Sequence, residues 1–184
     1  QKYGNITAGD FYGEFACDLA YANLNVNKLF RSPVRISGRY ANIRIDRVEV
    51  LNLSANYSRI NISELDELYA KLKYTPASVG SVGKKLTVDA AYSSIKVGNT
   101  SRQLESAKFN CSYSNMDLRF DPDLSADLNI NLKYGNLSVS SKYSVKYSLS
   151  ETSYNKVIRK GTLGSSTPAA SIAISSSYAN VSIR

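Results

Sequence analysis

The sequence has no histidine and no tryptophan, and only one methionine, two cysteines and four prolines in 184 residues. Without histidine the commonest general base is missing, and with it the Ser-His-Asp arrangement and most zinc sites. Cys17 and Cys111 stand far apart with no Cys-x-x-Cys spacing, which argues against a metal or redox motif. No apolar run approaches the roughly 18 residues of a membrane-spanning helix. No leader peptide is visible. Gln1 falls beside a repeat unit, Tyr3-Gly4-Asn5-Ile6, so the chain is expected to continue a longer precursor. The 15 acidic residues form no recurring pair of the kind a glycan-cleaving enzyme needs, so no catalytic set is nominated.

The net charge is +8. It favours acidic partners in principle, but charge of this size ordinarily serves solubility. Basic residues are spread along the chain. The densest group, Arg31, Arg35, Arg39, Arg44, Arg47 and Arg59, is interrupted by Asp46 and Glu49. With no recognition helix or nucleic-acid motif beside it, the charge does not predict nucleic-acid binding.

What is present in quantity is tyrosine, 14 residues of it. Nine define a repeat: Tyr3, Tyr21, Tyr40, Tyr57, Tyr74, Tyr92, Tyr113, Tyr134 and Tyr178, spaced by 18, 19, 17, 17, 18, 21, 21 and 44 residues. The residue after tyrosine is always small, and the next is Asn in six of nine; Arg59, Pro76 and Ser94 are the exceptions. Apolar residues recur four and two before the tyrosine, and three and five after it. Around Tyr113 these are Phe109, Cys111, Met116 and Leu118. Period-2 alternation on both arms predicts two strands, each with one buried face, joined at a corner. Asn tolerates the left-handed backbone region, so it is expected to make the corner. Apolar residues in the connectors, such as Leu29, Val48, Leu65 and Leu68, suit a third wall.

Because every unit has the same polarity, the prediction is an all-β fold: a parallel β-solenoid (β-helix), right-handed as parallel crossovers usually are. Coils of about 17–21 residues stack at about 4.8 Å. Residues 1–184 form one domain, with repeated coils over 1–139, a cap or hairpin insertion over 140–170 and a final coil over 171–184. Pro76 is expected to distort its corner. Gly80, Gly83 and Lys84-Lys85 suggest a protruding loop.

The tyrosines are either sugar-stacking platforms copied many times or a structural device. Their parity matches the buried residues two and four positions before, so Tyr21, Tyr40, Tyr57, Tyr92, Tyr113, Tyr134 and Tyr178 are expected as an inward structural ladder. Tyr12, Tyr69, Tyr143, Tyr147 and Tyr154 fall outside the motif and are better candidates for exposed aromatics than the ladder, though each taken singly reads first as packing. Asp121-Pro122-Asp123 with Asp127 reads as a turn in preference to a calcium site. Asn-x-Ser/Thr sequons, such as Asn5-Ile6-Thr7, are by-products of the repeat. Cys17 and Cys111 lie about five coils apart, roughly 24 Å along the axis, so both are expected to be free, buried thiols.

FNCSYSNMDLRF, INLKYGNLSV and the closing KGTLGSSTPAASIAISSSYANVSIR resemble the adhesin-like β-solenoid families of Bacteroidetes. Those families repeat a Tyr-Gly-Asp/Asn-hydrophobic unit and end on a Gly-rich stretch and a last coil. This chain departs by carrying Ala or Ser where Gly is common. The resemblance implies an exported protein of the cell surface, envelope or periplasm, with membrane association only through an anchor outside this chain. It implies an adhesive or scaffolding role, with a glycan or a surface protein as partner, and no catalytic residues, metal or cofactor. A filament-forming scaffold and a polysaccharide-active enzyme are the alternatives.

Overall fold

A computed structural model describes residues 2–30, 33–164 and 167–184. Gln1, Arg31 and the Ser165-Ser166 part of the expected loop lie outside the described residues. Among the described residues fifteen strands account for the fold and there is no helix. They are β1 (Lys2–Tyr12), β2 (Ala16–Phe30), β3 (Val34–Arg39), β4 (Asn42–Asn56) and β5 (Arg59–Lys73). β6 (Ala77–Ala91), β7 (Ser94–Thr100), β8 (Ser106–Ser112), β9 (Asn115–Leu118) and β10 (Ala126–Lys133) follow. The chain closes with β11 (Leu137–Val139), β12 (Val145–Ser153), β13 (Lys156–Leu163), β14 (Ala170–Ser177) and β15 (Val181–Ile183).

The fold is a parallel β-solenoid. Its register follows the repeat. The residue three after each tyrosine forms one column: Ile43 pairs with Ile60, Ile60 with Ala77, Ala77 with Ile95 and Ile95 with Met116. Such columns fill the interior, since alternate residues of a strand face one side and adjacent coils are a strand spacing apart. Each fully buried Leu, Ile or Val in them contributes about 1.5–3 kcal/mol. The connector residues Leu29, Val48, Leu65 and Leu68 are buried as well, and form the third wall.

Two local expectations fail. Pro76 does not distort its corner: Tyr74 keeps the backbone of its neighbours, and the Pro76 carbonyl accepts a hydrogen bond from Ile60 N at 3.0 Å. The preceding coil is tied to this position through that carbonyl, a bond that needs no N–H from Pro76. Gly80 and Gly83 form no protruding loop but sit within β6, hard against the coil below. A Cβ on Gly80 would lie 2.4 Å from the Ser63 carbonyl oxygen. Here glycine serves close backbone approach and not a turn.

The order of coils in space departs from their order in the chain. Along the main sheet the sequence of strands is β6, β8, β14, β10, β13, β12. The final coil, β14–β15, is therefore not terminal. It lies between β8–β9 on one side and β10–β11 on the other, parallel to both. The expected hairpin is present as β12–β13, joined at Tyr154-Asn155, and β13 pairs antiparallel with β10. The hairpin thus covers the edge that β10 would otherwise leave open, one of the standard protections of a sheet end.

Candidate functional site

Tyr40 donates its backbone N–H to the carbonyl of Asn56 in the next coil at 3.1 Å, and Tyr57, Tyr74 and Tyr92 repeat the bond to Lys73, Ala91 and Ser112. At each of the nine corners the tyrosine itself, and not the asparagine, takes the left-handed backbone, with φ between 50° and 57°. This breaks the period-2 alternation. The residue two before faces in, the tyrosine faces out, and the small residue after it faces in. The ladder tyrosines are consequently 39% to 70% exposed, which corrects their expected inward placement. Ala22, Ala41, Ser58, Thr75, Ser93, Ser114 and Ala179 are buried on the inside of the bend instead.

The outward rings form an unbroken stack that includes Tyr3 and Tyr74 along with the seven expected members. Centroids are 4.7–5.4 Å apart and interplanar angles 2–14°. Tyr178 stacks between Tyr113 and Tyr134, repeating the order of coils in the sheet. Each internal ring has both faces covered by its neighbours, so no sugar can lie between them. The ladder presents ring edges and hydroxyls.

A left-handed backbone costs a residue with a Cβ roughly 1–2 kcal/mol, and each stacked pair returns about 0.5–1.5 kcal/mol. Tyr74 touches two partners. Tyr74→Gly and Tyr74→Ala both lose the two stacks, but only the alanine variant keeps the backbone strain, so it should be the less stable by about 1 kcal/mol. Urea unfolding of the two variants checks this; the usual order, alanine above glycine, would show that the corner is not strained.

Two polar ladders line the corner. On the inside, the Ala41, Ser58, Thr75 and Ser93 amides donate to the hydroxyls of Ser58, Thr75, Ser93 and Ser114 at 3.0–3.2 Å. On the outside, Asn23 donates to Asn5 at 2.7 Å and Asn42 to Asn23 at 2.9 Å, and the Asn180 amide donates to the Asn115 side chain at 3.0 Å. The three coils that lack the asparagine, at Arg59, Pro76 and Ser94, all have a small residue that carries a hydroxyl, and the Tyr113 coil has both Ser114 and Asn115. Sequence inspection treated that position as merely small and missed its hydrogen-bonding role.

The other surface of interest is the outer face of the main sheet. A depression of about 620 Å³ crosses the second half of the coils and is lined by Asp18, Arg35, Asn52, Ser54, Tyr69, Lys71, Thr87 and Asp89 among others. Two smaller depressions share Asp89 with it, and a third continues past Asn110, Asn131 and Ser175. Together they make a trough running across the strands, with apolar surface in its lining as well as polar side chains. Its floor consists of short side chains, Ser54, Thr87, Asn110 and Ser175, with longer ones beside them. Tyr69 is an exposed aromatic residue of this trough, whereas Phe109, which also lines it, is buried. Its hydroxyl donates to Glu67 at 3.0 Å, and this bond raises the phenol above its ordinary pKa. Lys85 pairs with Glu105 at 3.1 Å and lies 3.9 Å from Glu67; the hydrogen bond to Glu105 raises its pKa.

The remaining candidates divide. Tyr12, Tyr69, Tyr147 and Tyr154 are exposed. Tyr143 is not: it is buried at 6% exposure, and its hydroxyl accepts from Phe120 N at 3.0 Å and faces the Phe120 and Arg184 carbonyls at 2.9 and 2.7 Å. A phenol whose tip reaches three backbone groups belongs inside, and no local pattern announces it. Asp121 and Asp123 form a turn. Asp121 Oδ1 accepts from Asp123 N at 2.9 Å, and both carboxylates pair with Arg102. Among the described residues no three His, Cys, Asp or Glu side chains are grouped to hold a metal. Both cysteines are free; Cys111 is buried and Cys17 only half-buried, near the sparsely covered first coil. Burial pushes the Cys111 thiol up to about 12 and the Cys17 thiol up as well. Comparison with known proteins returns no match: no protein family fits the sequence, and no curated protein or solved structure is significantly similar.

Proposed function

We propose that this is a non-enzymatic, adhesin-like protein of the cell surface or envelope that holds an elongated glycan in the outer trough. The observation that carries the reading is the run of adjoining depressions across coils, in which Asp18, Arg35, Asn52, Lys71 and Asp89 stand beside apolar surface and one exposed aromatic ring. Serine, asparagine, aspartate and lysine side chains supply the donors and acceptors that sugar hydroxyls match. Tyr69 offers a ring to an apolar sugar face, as the stacked ladder tyrosines do not. A rigid parallel sheet holds these groups at a fixed repeat, which suits a polymer better than a single small molecule. End-to-end assembly into a filament has less support, because the β12–β13 hairpin turns the sheet antiparallel at one end.

The test is titration of an oligosaccharide panel, neutral and acidic, by calorimetry at low and high salt. A glycan that binds should lose at least about tenfold in affinity with Tyr69→Ala, equivalent to about 1.4 kcal/mol, and a similar amount with Lys71→Ala. Affinity that disappears with salt and ignores Tyr69 would reduce the binding to net charge. Turnover of a bound glycan would move the protein to the enzyme alternative.

A further inference from the structure

The β14–β15 arm fills a slot between two coils that precede it in the chain. Ser176 Oγ bonds Cys111 O across 65 residues of sequence, and Asn180 reaches Asn136 across 44. In chain order β8–β9, β10–β11 and the covering hairpin all come first. Until the arm arrives, β8 and β10 cannot pair with one another in the native register, because the native fold places a whole strand between them. The slot then has two unpaired strand edges and an open length of core.

The arm that fits it carries its own specification. Ile172, Ile174, Val181 and Ile183 face inward, Tyr178 completes the ring stack, and Asn180 links the asparagine ladder on both sides. At its tip Arg184 donates N–H to the Leu118 carbonyl at 2.9 Å and lies 3.6 Å from Asp117. Every one of these contacts is available in an identical chain. Exchange of one whole element between identical chains recreates the same interface and has little net cost.

We infer that the slot between β8–β9 and β10–β11 is a strand-acceptor site, whose ligand is a parallel peptide of the pattern apolar-x-apolar-x-Ser-x-Tyr-small-Asn-apolar-x-apolar, and that the arm of a second copy of this chain occupies it to give a reciprocal dimer. The competition between own and foreign arm is set when the slot is first open, so protein concentration during folding decides the outcome.

The experiment refolds the full chain from denaturant at micromolar and at near-millimolar concentration and measures mass by light scattering. The expected result is a 20.2 kDa monomer at the low concentration and a species of twice that mass at the high one, persisting after dilution. Ser176→Cys places a thiol at the register partner of Cys111, within disulfide reach across adjacent strands. Asn110→Cys with Ser175→Cys makes a second, outward-facing pair at the same register, useful if the buried pair disturbs folding. With Cys17→Ser in both backgrounds, the large species should run as a covalent dimer on a non-reducing gel and the small one as an internally linked monomer. A single mass at every concentration overturns the inference, and so does a dimer whose disulfides are all within one chain.

Discussion

Ile174→Asp is expected to destabilise the chain by more than about 3 kcal/mol, whereas Ser175→Asp, one position on, should change stability by less than about 0.5 kcal/mol. Ile174 is buried at the centre of β14, with Phe109 as its register partner on one side and Ile130 on the other. A carboxylate there has no counter-charge and must either lose its hydration or push the arm from its slot. Ser175 points into the trough between Asn110 and Asn131, where water reaches it. Two substitutions of the same chemistry at adjacent residues thus differ only in the face they occupy. Denaturant unfolding measures both. Equal effects would mean that the arm is not held with this side inward.

The second large effect concerns Tyr143. Tyr143→Ala should cost about 3–5 kcal/mol by removing a buried ring, and Tyr143→Phe about 1–3 kcal/mol by leaving buried backbone groups without their partner. The hydroxyl bonds Phe120 at the end of one coil and Arg184 at the tip of the arm. The phenylalanine variant should therefore show faster hydrogen exchange at the Phe120 amide while amides in β4 and β5 remain protected. A uniform loss of protection would point to a general core defect and not to this clasp.

The architecture was largely legible because the repeat states it many times. Leu53 and Ala55 before Tyr57, and Ile60 and Ile62 after it, mark strand faces without ambiguity. The orientation of the tyrosine was not inferred, although the numbers contained it. Apolar positions at two before and three after are five apart, so the alternation slips by one somewhere in the corner. Either the tyrosine or the small residue had to face in. Apolarity and size favoured the ring, while the tight inside of the bend admits only the small side chain. The buried hydroxyls of Ser58, Thr75, Ser93 and Ser114 escaped notice for the same reason, since their partners belong to the neighbouring coil. The displaced arm could not be read at all: INLKYGNLSV and SIAISSSYANVSI share the Tyr-small-Asn corner and the apolar positions after it, and their difference at Leu132 and Ser176 does not say which place in the stack each takes. The trough was equally hidden, because it is assembled from the positions that vary between coils.

The inserted arm also limits how such a chain can change its length in evolution. Between β2 and β6 each coil meets the same kind of interface above and below, so a duplicated unit of 17 or 18 residues could enter there, lengthening the molecule while both ends keep their partners. Beyond β8 this freedom ends. A unit added after Arg184 would have to leave the middle of the stack, and one added between β10 and β12 would separate the hairpin from the strand it covers. Relatives of different length should therefore vary in the first half of the chain and keep a constant spacing from the Tyr113 coil to the end.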